Sequence, residues 1–148
     1  MNTRVKKLGV IVIACAVLSL AMGVVFIQQG YAKEAFLLEA MTQEQITIDG
    51  VEGVIDSAEK AQIAGDTVRE HRHGIAPTYG DLLGDGRFNP ADPAQLTYAQ
   101  ALNLENYLYL AVASFGVFTV VKVVGVFMIV IGLALGATGY GLLSPTES

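Results

Sequence analysis

"LGVIVIACAVLSLAMGVVFI", residues 8–27, is a run of twenty residues without a charge, and its reading decides the fold. At 1.5 Å of rise per residue, a helix of this length spans about 30 Å, the thickness of a bilayer's hydrocarbon core. The run is therefore expected to be a membrane-spanning helix, with its limits at 8–29. Arg4, Lys6 and Lys7 precede it, and short basic flanks stay on the cytoplasmic side. The competing reading is a cleaved secretory signal, since "GYA" at 30–32 would suit cleavage before Lys33. The apolar run is longer than the roughly 7–15 residues of a signal-peptide core, so retention is expected.

A second apolar block covers 107–143, and thirteen of the fourteen acidic residues lie between the two blocks. With 53% hydrophobic residues in 148 and a positive mean hydropathy, the chain is too apolar for a soluble domain of its length. The expected fold class is an all-α membrane protein. Two transmembrane helices form an antiparallel hairpin extended outside the bilayer, with a small helical and loop-rich extracytoplasmic insert. The expected segments are a cytoplasmic amino terminus (1–7), a first span (8–29), the insert (30–115), a second span (116–140) and a cytoplasmic tail (141–148). The protein is thus placed in the cell membrane with both termini cytoplasmic.

Inside the insert, Ala32, Phe36, Leu37, Ala40 and Met41 follow helical spacing, so the first helix should continue beyond the membrane to about Ile46. "TIDGVEGVID" at 47–56 then stops it with an Asp-Gly turn signature. A second helix is expected in "DSAEKAQIAGDTVREHRHG". Asp56 or Ser57 caps it, Ala58, Ala61, Ala64 or Gly65, and Val68 form a small-residue face, and Arg69, Arg72, His71 and His73 crowd its end. The glycine-, proline- and aspartate-rich stretch 74–96 reads as an irregular loop. Thr97 and Gln100 fit a capping box, so a third helix is expected to start at Tyr98 and run unbroken into the second span.

That long third helix carries "TVVKVVGVFMIVIG", residues 119–132, with Lys122 alone in an apolar run. An antiparallel helix starting at Tyr98 enters the bilayer near Gly116, which puts Lys122 less than two turns below the outer surface. From there its ammonium can snorkel to the headgroups along its own alkyl stem. The sharper alternative is a buried lysine paired with an acid; residues 8–27 contain none, so that partner would come from another chain or a lipid phosphate. The projecting "YLYLAVASF" is expected to pack on Phe36, Leu37, Ala40 and Met41.

Small residues mark the expected packing faces. Cys15, Ser19 and Gly23 recur every four residues in the first helix, the spacing that lets helix backbones approach in lipid. Lys122, Gly125, Ile129, Gly132 and Gly136 form a corresponding stripe in the second span, facing the first helix or a partner. "VIAC" also loosely matches a lipoprotein box, but an apolar rather than polar stretch follows Cys15. A lone cysteine forms no intrachain disulfide.

Signals for chemistry are sparse. His71 and His73 lie near Glu70, Asp81 and Asp85, yet a two-residue step on a helix turns their rings about 200° apart, whereas a metal needs converging donors. Cations at a helix carboxyl end complement its dipole, which accounts for them without a metal. "DGRFNPAD" places Arg87 and Phe88 where a calcium loop needs oxygen donors. There is no glycine-rich phosphate loop, Ser-His-Asp spacing or CxxC pair. Five basic against thirteen acidic residues in the insert argue against nucleic acid.

"REHRHGIAPTYGDLLGDGRFNPADPAQLTYAQALNLENYLYL", residues 69–110, resembles a segment in a group of short bacterial membrane proteins, uncharacterised in activity, that have two spans around such an insert. Some of that group carry an aromatic ring-opening dioxygenase label. Chemistry of that kind needs an iron site, and this chain offers only His71 and His73. The resemblance implies the two-span architecture and no functional residues.

The expected function is therefore non-catalytic: an accessory or scaffold subunit that contacts a larger membrane partner and needs no cofactor. The alternatives are a small metal-binding protein or enzyme using His71 and His73, and a lipid-contacting membrane protein. The expected partners are the lipid bilayer and another membrane protein or a second copy of the chain.

Overall fold

The structure, a computed structural model, describes residues 3–144; the outermost residues of the two expected cytoplasmic segments, 1–2 and 145–148, lie outside that range. Among the described residues the elements are all helical, in the order α1 (Thr3–Gln43), α2 (Ala58–Ile75), α3 (Tyr79–Leu83) and α4 (Pro93–Leu143). Two of them, α1 and α4, are long and apolar enough to cross a membrane. Only 11% of the most apolar stretch of each is buried. A core helix of a soluble protein would have most of that stretch covered.

The helix limits follow local chemistry. Beyond Gln43, Gln45 adopts a left-handed conformation (φ 52), and its side-chain amide donates to the Thr42 carbonyl at 2.7 Å. The turn signature then takes effect: Gly50 and Gly53 have φ of 87 and 74, a region in which side chains with a Cβ are strained. Of the two candidate caps for α2, Ser57 takes the role, its hydroxyl accepting from the Lys60 amide at 3.2 Å.

Two expectations are corrected between α2 and α4. The stretch 74–96 is not wholly irregular, because Thr78 caps the short α3: its hydroxyl accepts from the Asp81 amide and donates to the Asp81 carboxylate. The last helix starts at Pro93, five residues before Tyr98. Asp92 caps it, its carboxylate accepting from the Ala94 and Gln95 amides at 2.9 and 3.2 Å, and proline suits a first helical position because its missing N–H would have had no intrahelical partner. The Thr97 hydroxyl, expected as the cap, instead donates back to the Pro93 carbonyl at 2.8 Å.

The chain divides into two compact units, with boundaries at Lys33/Glu34 and Gly116/Val117. The first unit contains the most apolar parts of α1 and α4. The second, Glu34–Gly116, has its own core of Met41, Ile55, Ala61, Ala64, Val68, Leu108 and Ala111. Its small-residue face on α2 is the expected one: Ala61, Ala64, Gly65 and Val68 are buried. A methyl group on Gly65 would lie 3.0 Å from Cε1 of Tyr109, so the absence of a side chain makes room for that ring against α2.

Candidate functional site

In the first unit, α1 and α4 meet along a seam of the smallest residues. Gly9, Ala16, Gly23 and Gly30 are buried on α1, and Gly125, Gly132 and Gly139 on α4. Both sets repeat every seven residues, the period that keeps one face toward a neighbour in a left-handed helix pair. Methyl groups added to these glycines show how close the backbones are. At Gly23 a methyl would lie 2.7 Å from the Gly125 carbonyl oxygen, and at Gly125 one would lie 2.8 Å from that of Gly23. Gly132 faces Leu20 and Ala16, Gly139 faces Ile13 and Gly9, and Gly30 faces Lys122 and Phe118. Partners descend along α4 as they ascend along α1, so the two segments run in opposite directions.

The residues singled out from sequence fall unequally on this seam. Gly23, Gly125 and Gly132 are in it. Gly136 is half-buried, its added methyl 3.9 Å from Ala16 Cβ, an ordinary contact. Ser19 is half-buried and ties the helices together, its hydroxyl donating to the Met128 carbonyl at 2.7 Å. Cys15 is exposed, and the adjacent Ala16 occupies the buried position. Lys122 is half-buried: its Cγ would be 2.5 Å from a methyl on Gly30, and its ammonium lies 4.7 Å from the centroid of the Tyr31 ring. The lysine stem is thus laid over a glycine and its charge over an aromatic face, a favourable electrostatic pairing.

The second unit holds a buried polar cluster that sequence reasoning missed. Arg72 Nε donates to Glu105 Oε2 at 2.7 Å and Nη2 to Oε1 at 3.3 Å, a two-pronged pair with both side chains under 10% exposed. Nη1 donates to the hydroxyl of the fully buried Tyr98. The Glu105 contact, against the opposing effect of burial, raises the Arg72 pKa above its ordinary value, so its charge is fixed. This cluster fastens the end of α2 to α4. One turn further along α4, the Tyr109 hydroxyl donates to Asp66 at 2.7 Å. Hydrogen bonds from Gln62 and then Tyr109 hold the Asp66 carboxyl below the usual range. Because that shift is downward, what these contacts contribute is present at neutral pH and is lost as pH falls through the lowered value.

The two histidines do not converge on a common centre. Both are exposed, and Nε2 of His73 lies 3.2 Å from Nη2 of Arg72, a cation. Among the described residues there is no group of three or more His, Cys, Asp or Glu side chains placed to hold a metal ion. Changing both histidines to Gln is expected to leave metal content unaltered and to weaken α2 by no more than a few tenths of a kcal/mol, the lower end of a helix-dipole effect. Elemental analysis of the purified protein and its double variant checks this; stoichiometric zinc or iron lost from the variant would overturn it.

Compared with known proteins, the chain matches no family, no curated protein and no solved structure.

Proposed function

We propose that the chain is a non-catalytic integral membrane protein. In this reading, α1 and α4 form an antiparallel transmembrane hairpin with both termini cytoplasmic and 30–115 forming an extracytoplasmic insert, and the molecule serves as an accessory or scaffold subunit for a larger membrane partner. The observation that carries the reading is the contrast between the two faces of the first unit. The inner face is built on glycines and Ala16, with Ile13, Leu20, Ile27 and Ile129 packed against them, while Val10, Ile11, Val17 and Leu18 on α1, and Val120, Val123, Phe127, Val130 and Leu133 on α4, are more than half exposed. Apolar surface this extensive needs lipid or protein against it, and a helix pair with its backbone hydrogen bonds satisfied internally is one of the few structures a bilayer accepts. A protein partner is supported by the second unit, where Phe36 and Leu110 are 69% and 67% exposed although neighbouring Leu37 and Leu108 join the core.

Two measurements test this. In a Cys15→Ala background, a cysteine at Ala91 should react with an impermeant thiol reagent from outside intact cells, and one at Ser144 only after the cytoplasmic side is opened. Reaction of both from the same side would sink the hairpin topology. A photocrosslinking residue at Phe36 or Leu110 in native membranes should yield a discrete protein adduct; adducts with lipid alone would remove the scaffold role.

A further inference from the structure

The second unit contains eight side-chain carboxamides, and five of them are engaged locally. Gln43 donates to Glu39, Gln45 to the Thr42 carbonyl and Gln62 to Asp66, while Gln95 and Asn89 accept from the Asn89 and Ala91 amides. The side chains of the other three, Gln100, Asn103 and Asn106, form no hydrogen bond with any described residue, and all three line one cleft of about 530 Å³. Ile46, Leu104, Tyr107 and Leu110 supply its apolar lining, and Glu44 its one charge. Ile46, Leu104 and Tyr107 also pack against the core of the unit, and the Ile46 carbonyl accepts from the Ile55 amide at 3.2 Å. The floor of the cleft is therefore set by the core.

A carboxamide offers an acceptor oxygen and N–H donors, the same kinds of group as a peptide bond. At three-residue steps along α4, the three cover about 9 Å of helix axis, the length of roughly three residues of extended chain. The charge of the surroundings has one sign. Residues 34–116 carry thirteen acidic against four basic side chains, and the cleft itself holds a carboxylate and no cation, a field that favours a positive ligand. We infer that this cleft binds an extended, basic peptide segment of the partner. The segment's main chain pairs with Gln100, Asn103 and Asn106, an aliphatic side chain lies against Ile46, Leu104 and Leu110, and a lysine or arginine meets Glu44. Main-chain hydrogen bonds give such a contact its affinity, and the side-chain pockets its selectivity. The inference rests on the protein partner proposed above.

The test titrates the full chain, isotope-labelled in detergent micelles, with the probe acetyl-Ala-Leu-Lys-Leu-Ala-amide and follows the side-chain carboxamide resonances by NMR. Those of Gln100, Asn103 and Asn106 should move together, while those of Gln62 and Asn89 stay in place and report an intact unit. Glu44→Gln should weaken binding of this probe about fivefold, the upper end for an exposed ion pair. Asp85→Asn removes the same charge from an exposed residue outside the cleft and should change it little. Asn103→Leu should also weaken it about fivefold, the loss of one hydrogen-bonded group. A probe with N-methylated peptide bonds should not bind, and one with glutamate in place of lysine should bind more weakly than the lysine probe. Equal movement with the N-methylated probe, or equal weakening by Glu44→Gln and Asp85→Asn, would overturn the assignment. Resonances that respond to neutral maltotriose and to no peptide would overturn it in favour of a saccharide. Stationary resonances with every probe would also overturn it, and a photocrosslinking residue at Phe36 keeps that failure apart from failure of the partner reading. A discrete protein adduct there would leave the scaffold role standing without this cleft, whereas adducts with lipid alone would remove both.

Discussion

Gly125→Ala should weaken the pairing of the two long helices of the first unit, whereas Gly136→Ala, eleven residues further along α4, should not. The difference lies in what the new methyl meets. At Gly125 it would be 2.8 Å from the Gly23 carbonyl oxygen and 3.0 Å from the Ile27 nitrogen, both backbone atoms that no rotamer change can withdraw. At Gly136 its nearest neighbour is Ala16 Cβ at 3.9 Å. Overpacking of this kind costs about 1–3 kcal/mol, more than the ~1 kcal/mol that replacing glycine by alanine adds to a helix interior. At Gly136 the second effect acts alone. Gly23→Ala should match Gly125→Ala, since its methyl meets the Gly125 oxygen at 2.7 Å. Gly132→Ala should fall between, because the closest atoms there belong to the Leu20 side chain, which can rotate, although the Ala16 oxygen is at 3.1 Å. Denaturant titration in micelles, read by energy transfer between labels on the two helices, gives the order. A Gly125→Ala variant as stable as Gly136→Ala would refute the seam. Gly125→Leu carries the argument to its limit, and there the pair should not form.

How far this seam was legible in the sequence depends on the period used to read it. On α4 the stripe of Gly125, Gly132 and Gly136 stood out because glycines are conspicuous among valines and isoleucines. On α1 a four-residue step through Cys15, Ser19 and Gly23 gave one buried residue, one half-buried and one exposed. The seven-residue step through Gly9, Ala16, Gly23 and Gly30 passes one position from Cys15, which on a helix is a rotation of about 100°. A strict seven-residue recurrence of the smallest residues in both blocks was the available signal, and it also places Gly139, which reads in isolation as a helix stop. The start of α4 shows a different limit. Two amino-terminal signals lie five residues apart, and Asp92-Pro93 prevails because nothing in "PAQL" breaks a helix once it has been capped upstream.

The ion pair was harder to see, because Arg72 at the end of α2 has an adequate local explanation in the helix dipole, and its partner is 33 residues away. The clue was on α4: Glu105 shares a helical face with Tyr98, Ala101 and Leu108, and a lone carboxylate on an apolar face requires a cation to meet it.

Arg72→Met should therefore be among the most destabilising single changes in the second unit. It leaves the Glu105 carboxylate buried without its two guanidinium bonds and removes the donor to the Tyr98 hydroxyl. Breaking a buried pair in this way costs about 3–5 kcal/mol, and Glu105→Leu, which strands Arg72, should approach the same loss. If the charge itself drives the effect, the double variant Arg72→Met/Glu105→Leu should be more stable than either single variant, since removing both charges removes the desolvation cost along with the attraction. Amide hydrogen exchange across α2 is the suitable measurement, because it reports opening of this unit regardless of the state of the seam. Protection should fall steeply in both single variants and return substantially in the double. If the losses in the two single variants simply add in the double, Arg72 and Glu105 are uncoupled, and the fastening of α2 to α4 must come from the Tyr109–Asp66 hydrogen bond and the apolar contacts of Ala61, Ala64 and Val68.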